Sequence, residues 1–279
     1  AVGILLILVI AFSCLRDTIR SGSDIEKKLN ARDLGEIPFE KIKKNKKHNK
    51  NYGALQNGSD IRGVAMAGEP GKPVDLTPEA VVDLTLAFVL WLAAKTEKKR
   101  EELTVAVGRD SRLTGPELSR IVCETLAGCG VQVLCCGMAS TPAMYMATVF
   151  PEVAADGAIM ITASHLPKYR NGFKYFSSEG GLDSEDIASI VSTAESLAPF
   201  TPSREGAPVE TLDLMALYTA HLRSFIADGL GASEEDRPLE GLHIVVDAGN
   251  GAGGFFATDI LEPLGADTTG SQFLEPDGT

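Results

Sequence analysis

At 279 residues the chain is long enough for about two domains of roughly 100–200 residues each, and 44% hydrophobic against 23% charged residues fits a soluble globular protein with a substantial core. The net charge of −12 is unevenly placed: residues 1–51 hold 11 Lys and Arg against 6 Asp and Glu, and the rest carries the acid excess. An acidic body argues against non-specific nucleic-acid binding but leaves room for a small anionic substrate, which local arginines and helix N-termini can hold.

Residues 2–15 form a nearly continuous apolar run, short of the ~20 residues of a membrane span. It reads as a signal-peptide core or the remnant of a targeting segment, and no stable membrane insertion is expected. The lysine-rich residues 41–50 read as a solvated basic linker or part of a targeting peptide. Globular text starts near Asn57. Residues 76–94 predict a helix, with Pro78 in its first turn and Val81, Leu84, Phe88, Trp91 and Leu92 at helical spacing. Residues 103–107 predict a strand. Thr114 and Glu117 have capping-box spacing and open a helix to Leu126. Residues 131–136 and 158–161 predict two further strands, with a helix opening at Thr141-Pro142 between them. Residues 173–176 predict another strand before a Gly180-Gly181 turn, and Asp183 caps a helix. The prolines at 199, 202 and 208 mark a linker and domain boundary. A helix over 212–226, a strand over 242–246, the glycine-rich residues 247–254 and a helix over 255–264 complete the chain. Strand and helix alternating in this way predict an α/β fold with largely parallel strands.

The five cysteines, Cys14, Cys123, Cys129, Cys135 and Cys136, make no Cys-x-x-Cys pair. Buried free thiols in a reducing compartment are expected rather than a metal or redox centre. His48, His221 and His243 lack metal-ligand spacing to one another.

Chemistry concentrates in four segments. The first is Thr162-Ala163-Ser164-His165-Leu166-Pro167, directly after an apolar strand, followed by Asn171-Gly172-Phe173-Lys174. A hydroxyl at the end of a buried strand is placed to face a cleft, but free serine is a weak nucleophile, so a serine that stores a phosphoryl group needs donors around the phosphate and a base nearby. Lys174 qualifies if a low-dielectric cleft depresses its pKa; spacing alone favours a strand-end turn with a serine cap and surface cations. The second is Gly108-Arg109-Asp110-Ser111-Arg112, where Arg109 can fork onto phosphate oxygens and Asp110 suits a cap or turn. The third is Asn57-Gly58-Ser59-Asp60-Ile61-Arg62-Gly63, by composition a turn. The fourth, Gly249-x-Gly251-x-x-Gly254, fits a dinucleotide fingerprint with Glu275 about 20 positions on, or a structural strand-to-helix turn.

The first three segments, in order and spacing, resemble the α-D-phosphohexomutases, the phosphoglucomutase and phosphomannomutase family. The usual family loop reads Thr-Ala-Ser-His-Asn-Pro, then Asn-Gly and a lysine. Leu166 replaces the asparagine, a departure associated with plastid-type plant and algal members; a plastid or the cytoplasm is the expected location. The resemblance covers residues 56–279. It implies a mixed, largely parallel sheet with helices on both faces over residues 52–200 and an incomplete second α/β domain over 205–279, with residues 1–51 as targeting segment, linker or gene-model extension. It implies isomerisation of a hexose phosphate substrate through a phosphoserine at Ser164 and a bisphosphorylated sugar. Lys174 is then the general base and acid, and His165, Arg62 and Arg109 are electrostatic supports. Mg²⁺ on the Ser164 phosphate and a glucose 1,6-bisphosphate-type activator are implied too. The family's Asp-x-Asp-x-Asp-Arg metal loop and its sugar- and phosphate-binding loops do not occur in this sequence, so the chain is expected to be a fragment, inactive alone. A nucleotide-binding domain using the Gly249–Gly254 turn and a non-catalytic homologue are the alternatives.

Overall fold

Val105 and Val107 turn to one face of their strand and Ala106 to the other, and all three are fully buried, so the sheet they belong to is covered on both sides. The computed structural model describes residues 50–200 and 206–278. The apolar run at 2–15, Cys14, nearly all of the basic segment at 41–50 and residues 201–205 of the proline linker lie outside the described residues.

The chain enters a hairpin of β1 (Gln56–Asn57) and β2 (Asp60–Val64), where Asn57 pairs with Asp60 around Gly58 at φ +60°. Thr77 caps α1 (Pro78–Thr96), its hydroxyl accepting from Ala80 N, with Pro78 as first residue. β3 (Thr104–Arg109), α2 (Gly115–Gly128), β4 (Gln132–Met138), α3 (Thr141–Met146) and β5 (Gly157–Ile161) follow. β6 (Arg170–Ser177) folds back onto the short β7 (Gly180–Gly181), so the two glycines are strand rather than turn. α4 (Ser184–Ser196), β8 (Val209–Thr211) and α5 (Leu214–Gly229) come next. Asp183 caps α4 as expected, accepting from Glu185 N and Asp186 N.

The sheet runs β1-β2-β6-β5-β3-β4-β8, with β7 beside β6. β5, β3, β4 and β8 are parallel; β6 and β2 join antiparallel at the β5 side. The expected mixed α/β sheet is present, and β8, beyond the proline linker, continues it. α1, α2 and α4 cover one face against Ile61, Val105, Val133, Ile159 and Phe173. α3 and α5 cover the other against Ala106, Cys136, Ala158 and Met160.

The capping box expected at Thr114 and Glu117 does not form. Thr114 is in the αR region, its hydroxyl accepts from Asn171 Nδ2 at 2.9 Å, and Glu117 pairs with Arg120. The strand expected at 242–246 is reduced to isolated parallel bridges, His243 with Asp267 and Asp247 with Gln272. No third strand flanks this pair among the described residues, and Leu242 and Val245 are half exposed. The helix expected at 255–264 is a π-helix over Phe256–Leu261, with Glu262 N donating five residues back to Ala257 O. Cys123, Cys129, Cys135 and Cys136 are free thiols, and burial pushes Cys123 and Cys136 up to about 12. Among the described residues no helix is long and apolar enough to cross a membrane.

Candidate functional site

β5 is apolar throughout because both of its faces are buried, and the first exposed residue after it is Ser164. Ser164 has φ +55°, a region that non-glycine residues rarely adopt and that costs about 1–2 kcal/mol. Its hydroxyl lies 3.3 Å from His165 Nδ1. Its amide donates to Thr162 Oγ1 at 2.9 Å, and Thr162 Oγ1 donates to Asp110 Oδ2 at 2.6 Å. The tip of β3 thereby sets the start of the serine loop. The same connection is reinforced by Asp110 N donating to Ile161 O at 3.1 Å.

Arg112 holds the rest of the loop. One terminal nitrogen donates to Ser164 O (2.7 Å) and Leu166 O (2.6 Å), the other to Pro167 O (3.1 Å) and Arg170 O (2.9 Å). Its Nε faces Asp110 Oδ2 at 3.5 Å without a hydrogen bond. Burial lowers the guanidinium's pKa, and the Asp110 carboxylate opposes that shift. At position 166 the loop is held through backbone atoms, so leucine in place of asparagine leaves this clamp intact.

A second charged group grows from the β2–β6 pairing. Arg62 lies opposite Gly172, which places Asp60 beside Lys174 on one face of the sheet. Lys174 Nζ donates to both Asp60 oxygens at 2.7 and 2.6 Å. Arg62 donates to Asp60 Oδ2 at 2.8 Å and to Thr162 O at 2.5 Å. Arg62 is buried, and Lys174 keeps about a quarter of its side chain in solvent. The pairing is close because Gly172 has no Cβ; a methyl there would collide with the Ile61 carbonyl.

A cleft of about 300 Å³ opens over Ser164 and His165, walled by Ser111, Arg112 and Lys168 on one side and by Asn250 and Gly251 on the other. The structure therefore brings Ser164 and His165 into one cleft, joins Arg62 to the loop through Thr162, and couples Lys174 to Arg62 through Asp60. Arg109 stands apart: its guanidinium donates to the neighbouring Asp110 O at 3.1 Å. The glycine turn lines the cleft, but three of its amides are engaged within the turn and its flanks: Gly249 N with Asp247, Asn250 N with Phe273 O, Gly251 N with Ala248 O. Gly254 lacks a Cβ where the Leu274 backbone passes. Both observations favour a structural turn over a pyrophosphate cradle.

Asp60, Arg112, Thr162 and Asn171 are the residues that sequence reasoning missed. Asp60 stands two positions from Arg62, and Arg112 three from Arg109, the residue singled out in each motif. Asn171, fully buried, uses its side-chain oxygen to accept from Gly172 N and its amide to hold Thr114.

Comparison with known proteins adds an independent line. Residues 53–198 match the model of the phosphoglucomutase/phosphomannomutase alpha/beta/alpha domain I. The chain is similar to the phosphoglucomutase of Neisseria gonorrhoeae, 35% identical over 219 residues, covering 78% of this chain and 42% of that protein. It is also similar to the phosphoglucosamine mutase of Kineococcus radiotolerans, 33% identical, covering 74% of this chain and 44% of that protein. Among solved structures, a phosphoglucomutase/phosphomannomutase family protein from Burkholderia thailandensis superposes with a TM-score of 0.62 at 27% identity, over 81% of this chain and 45% of that one. The chain spans less than half the length of these relatives.

Proposed function

The chain belongs to the phosphoglucomutase/phosphomannomutase family, and on that premise we propose that the full-length protein is a phosphohexomutase whose phosphoryl carrier is Ser164. The observation that carries the reading is the placement of the Ser164 hydroxyl: exposed at the end of a buried strand, in a strained loop fixed from both sides, facing a cleft. Strain at an over-determined position is what a pre-organised group requires.

In the proposed cycle the phosphoryl group passes from Oγ of Ser164 to a free hydroxyl of a hexose phosphate. The serine oxygen keeps the bonding pair, and the hydroxyl proton goes to a base. The resulting bisphosphate turns over and returns its other phosphoryl group to Ser164, so the net change is isomerisation. Lys174 is the proposed proton-transfer group, Asp60 its partner, and Arg62 and His165 stabilise charge that builds on the transferring group. Arg109 enters this scheme only if the full-length protein moves it from Asp110 O.

Magnesium and a glucose 1,6-bisphosphate-type activator are proposed for the full-length protein, with the Ser164 phosphate as one magnesium donor. The described residues do not make a magnesium shell by themselves. Among them no three His, Cys, Asp or Glu converge, and Asp60 and Asp110 are already engaged by Lys174, Arg62, Thr162 and Arg112. A coupled assay of the full-length protein with glucose, mannose and glucosamine phosphates tests the activity and sorts the substrates. Turnover on none of the three counts against the reading.

A further inference from the structure

Arg112 was not among the candidate site residues, yet it makes more contacts to the Ser164 loop than any of them. Its two terminal nitrogens carry four N–H donors, and four loop carbonyls, those of Ser164, Leu166, Pro167 and Arg170, accept them at 2.6–3.1 Å. The residue is 8% exposed. Asp110 lies beside it, and the same carboxylate accepts from Thr162, whose hydroxyl in turn receives the Ser164 amide. The buried cation and the partly buried anion therefore grip the loop from opposite sides of Ser164.

We infer that Arg112 is a positioning residue for phosphoryl transfer at Ser164, acting through the loop backbone and not by contact with the phosphate. This rests on the reading of Ser164 as the carrier. The terminal donors are saturated by carbonyls, and the one unpaired N–H, that of Nε, is buried against Asp110 at 3.5 Å, so no exposed N–H is left for a phosphate oxygen. The planar fork is needed: a lysine has three donors on one nitrogen and cannot span carbonyls of residues 164 to 170 together. Without the clamp, Ser164 is free to leave its φ of +55°, and the hydroxyl loses its fixed line of attack.

The test uses the full-length protein and four variants: Arg112→Ala, Arg112→Lys, Lys174→Met and Ser164→Ala. Arg112→Ala is expected to lower kcat about 100-fold, the order of a misplaced reacting group, with KM for the hexose phosphate within threefold of the parent. Added guanidinium is expected to restore kcat at least tenfold in Arg112→Ala and not in Lys174→Met. Arg112→Lys should fall between Arg112→Ala and the parent. A kcat within threefold of the parent in Arg112→Ala, or a KM raised tenfold at unchanged kcat, overturns the inference. Where Arg112→Ala does not fold, Arg112→Lys decides: a folded variant with full kcat overturns it, and one with kcat lowered tenfold supports it. Loss of the fold in both marks Arg112 as structural only and overturns it as well. Activity in Ser164→Ala would instead sink the carrier reading, whatever Arg112 shows.

Discussion

Gly172→Ala tests how the sheet builds the site. Gly172 pairs with Arg62 across β2 and β6, and its carbonyl accepts from Thr162 N at 3.0 Å. A methyl at 172 would overlap the Ile61 carbonyl oxygen, sit 2.9 Å from its carbon and come within 3.1 Å of Arg62 Cα. Every one of these is backbone, so no side chain can swing aside. Carbon atoms rest at about 3.5–4.0 Å, so β2 must retreat by roughly 1 Å. That retreat carries Asp60 away from Lys174, and Arg62 away from Thr162. Overpacking of this kind destabilises by about 1–3 kcal/mol, or roughly 2–12 °C in the Tm of the domain that holds the sheet, melting as a unit of about 150–250 residues. Misplacement by 1 Å lowers kcat by about 100-fold. Thermal melts and a coupled mutase assay on full-length Gly172→Ala read both effects. A variant with Tm within 1 °C and kcat within twofold of the parent refutes the argument that this backbone contact sets the site.

Lys174→Met should lower kcat by about 10²–10⁴-fold while the protein stays folded, because it removes the proposed proton-transfer group and little of the core; steady-state kinetics with a circular dichroism control checks it. Glu69 is held at about 2 by hydrogen bonds from Arg170 and Lys72, below its ordinary 4.5. A depressed folded pKa contributes stability above the unfolded value and loses it as pH falls, so the tether of the 65–75 loop to Arg170 should fail between about 4.5 and 2. Pepsin cleavage in that loop should rise across this window, and Glu69→Gln should flatten the dependence; a parent insensitive to pH there contradicts the tether.

Much of the fold could be read locally. The helix at 78–96 announced itself through Pro78 and apolar spacing, and β3, β4 and β5 through short apolar runs, since the inner strands of a sheet covered on both faces have little else in them. The antiparallel half was harder: β6 mixes Asn171, Gly172 and Lys174 with aromatics, because it carries the site on one face and core on the other. The Thr114 box misled because Asn171, 57 residues away, takes that hydroxyl, a tertiary partner that local spacing cannot register. The short bridges at 243–272 misled for the opposite reason, since an apolar run predicts a strand only where neighbours exist to pair with it. In the site, Ser164 and Lys174 stood out by motif. Arg112 did not, because an arginine that binds carbonyls looks in sequence like any surface cation.

The central claim is that Ser164 carries the phosphoryl group. Its most direct test is peptide mapping of the full-length protein after incubation with glucose 1,6-bisphosphate and Mg²⁺, beside the same protein bearing Ser164→Ala. The account predicts one added phosphate on the Ser164 peptide, lost on chase with hexose phosphate, and no turnover in the variant. Phosphate only at another residue, or parent-like mutase activity in Ser164→Ala, would contradict it.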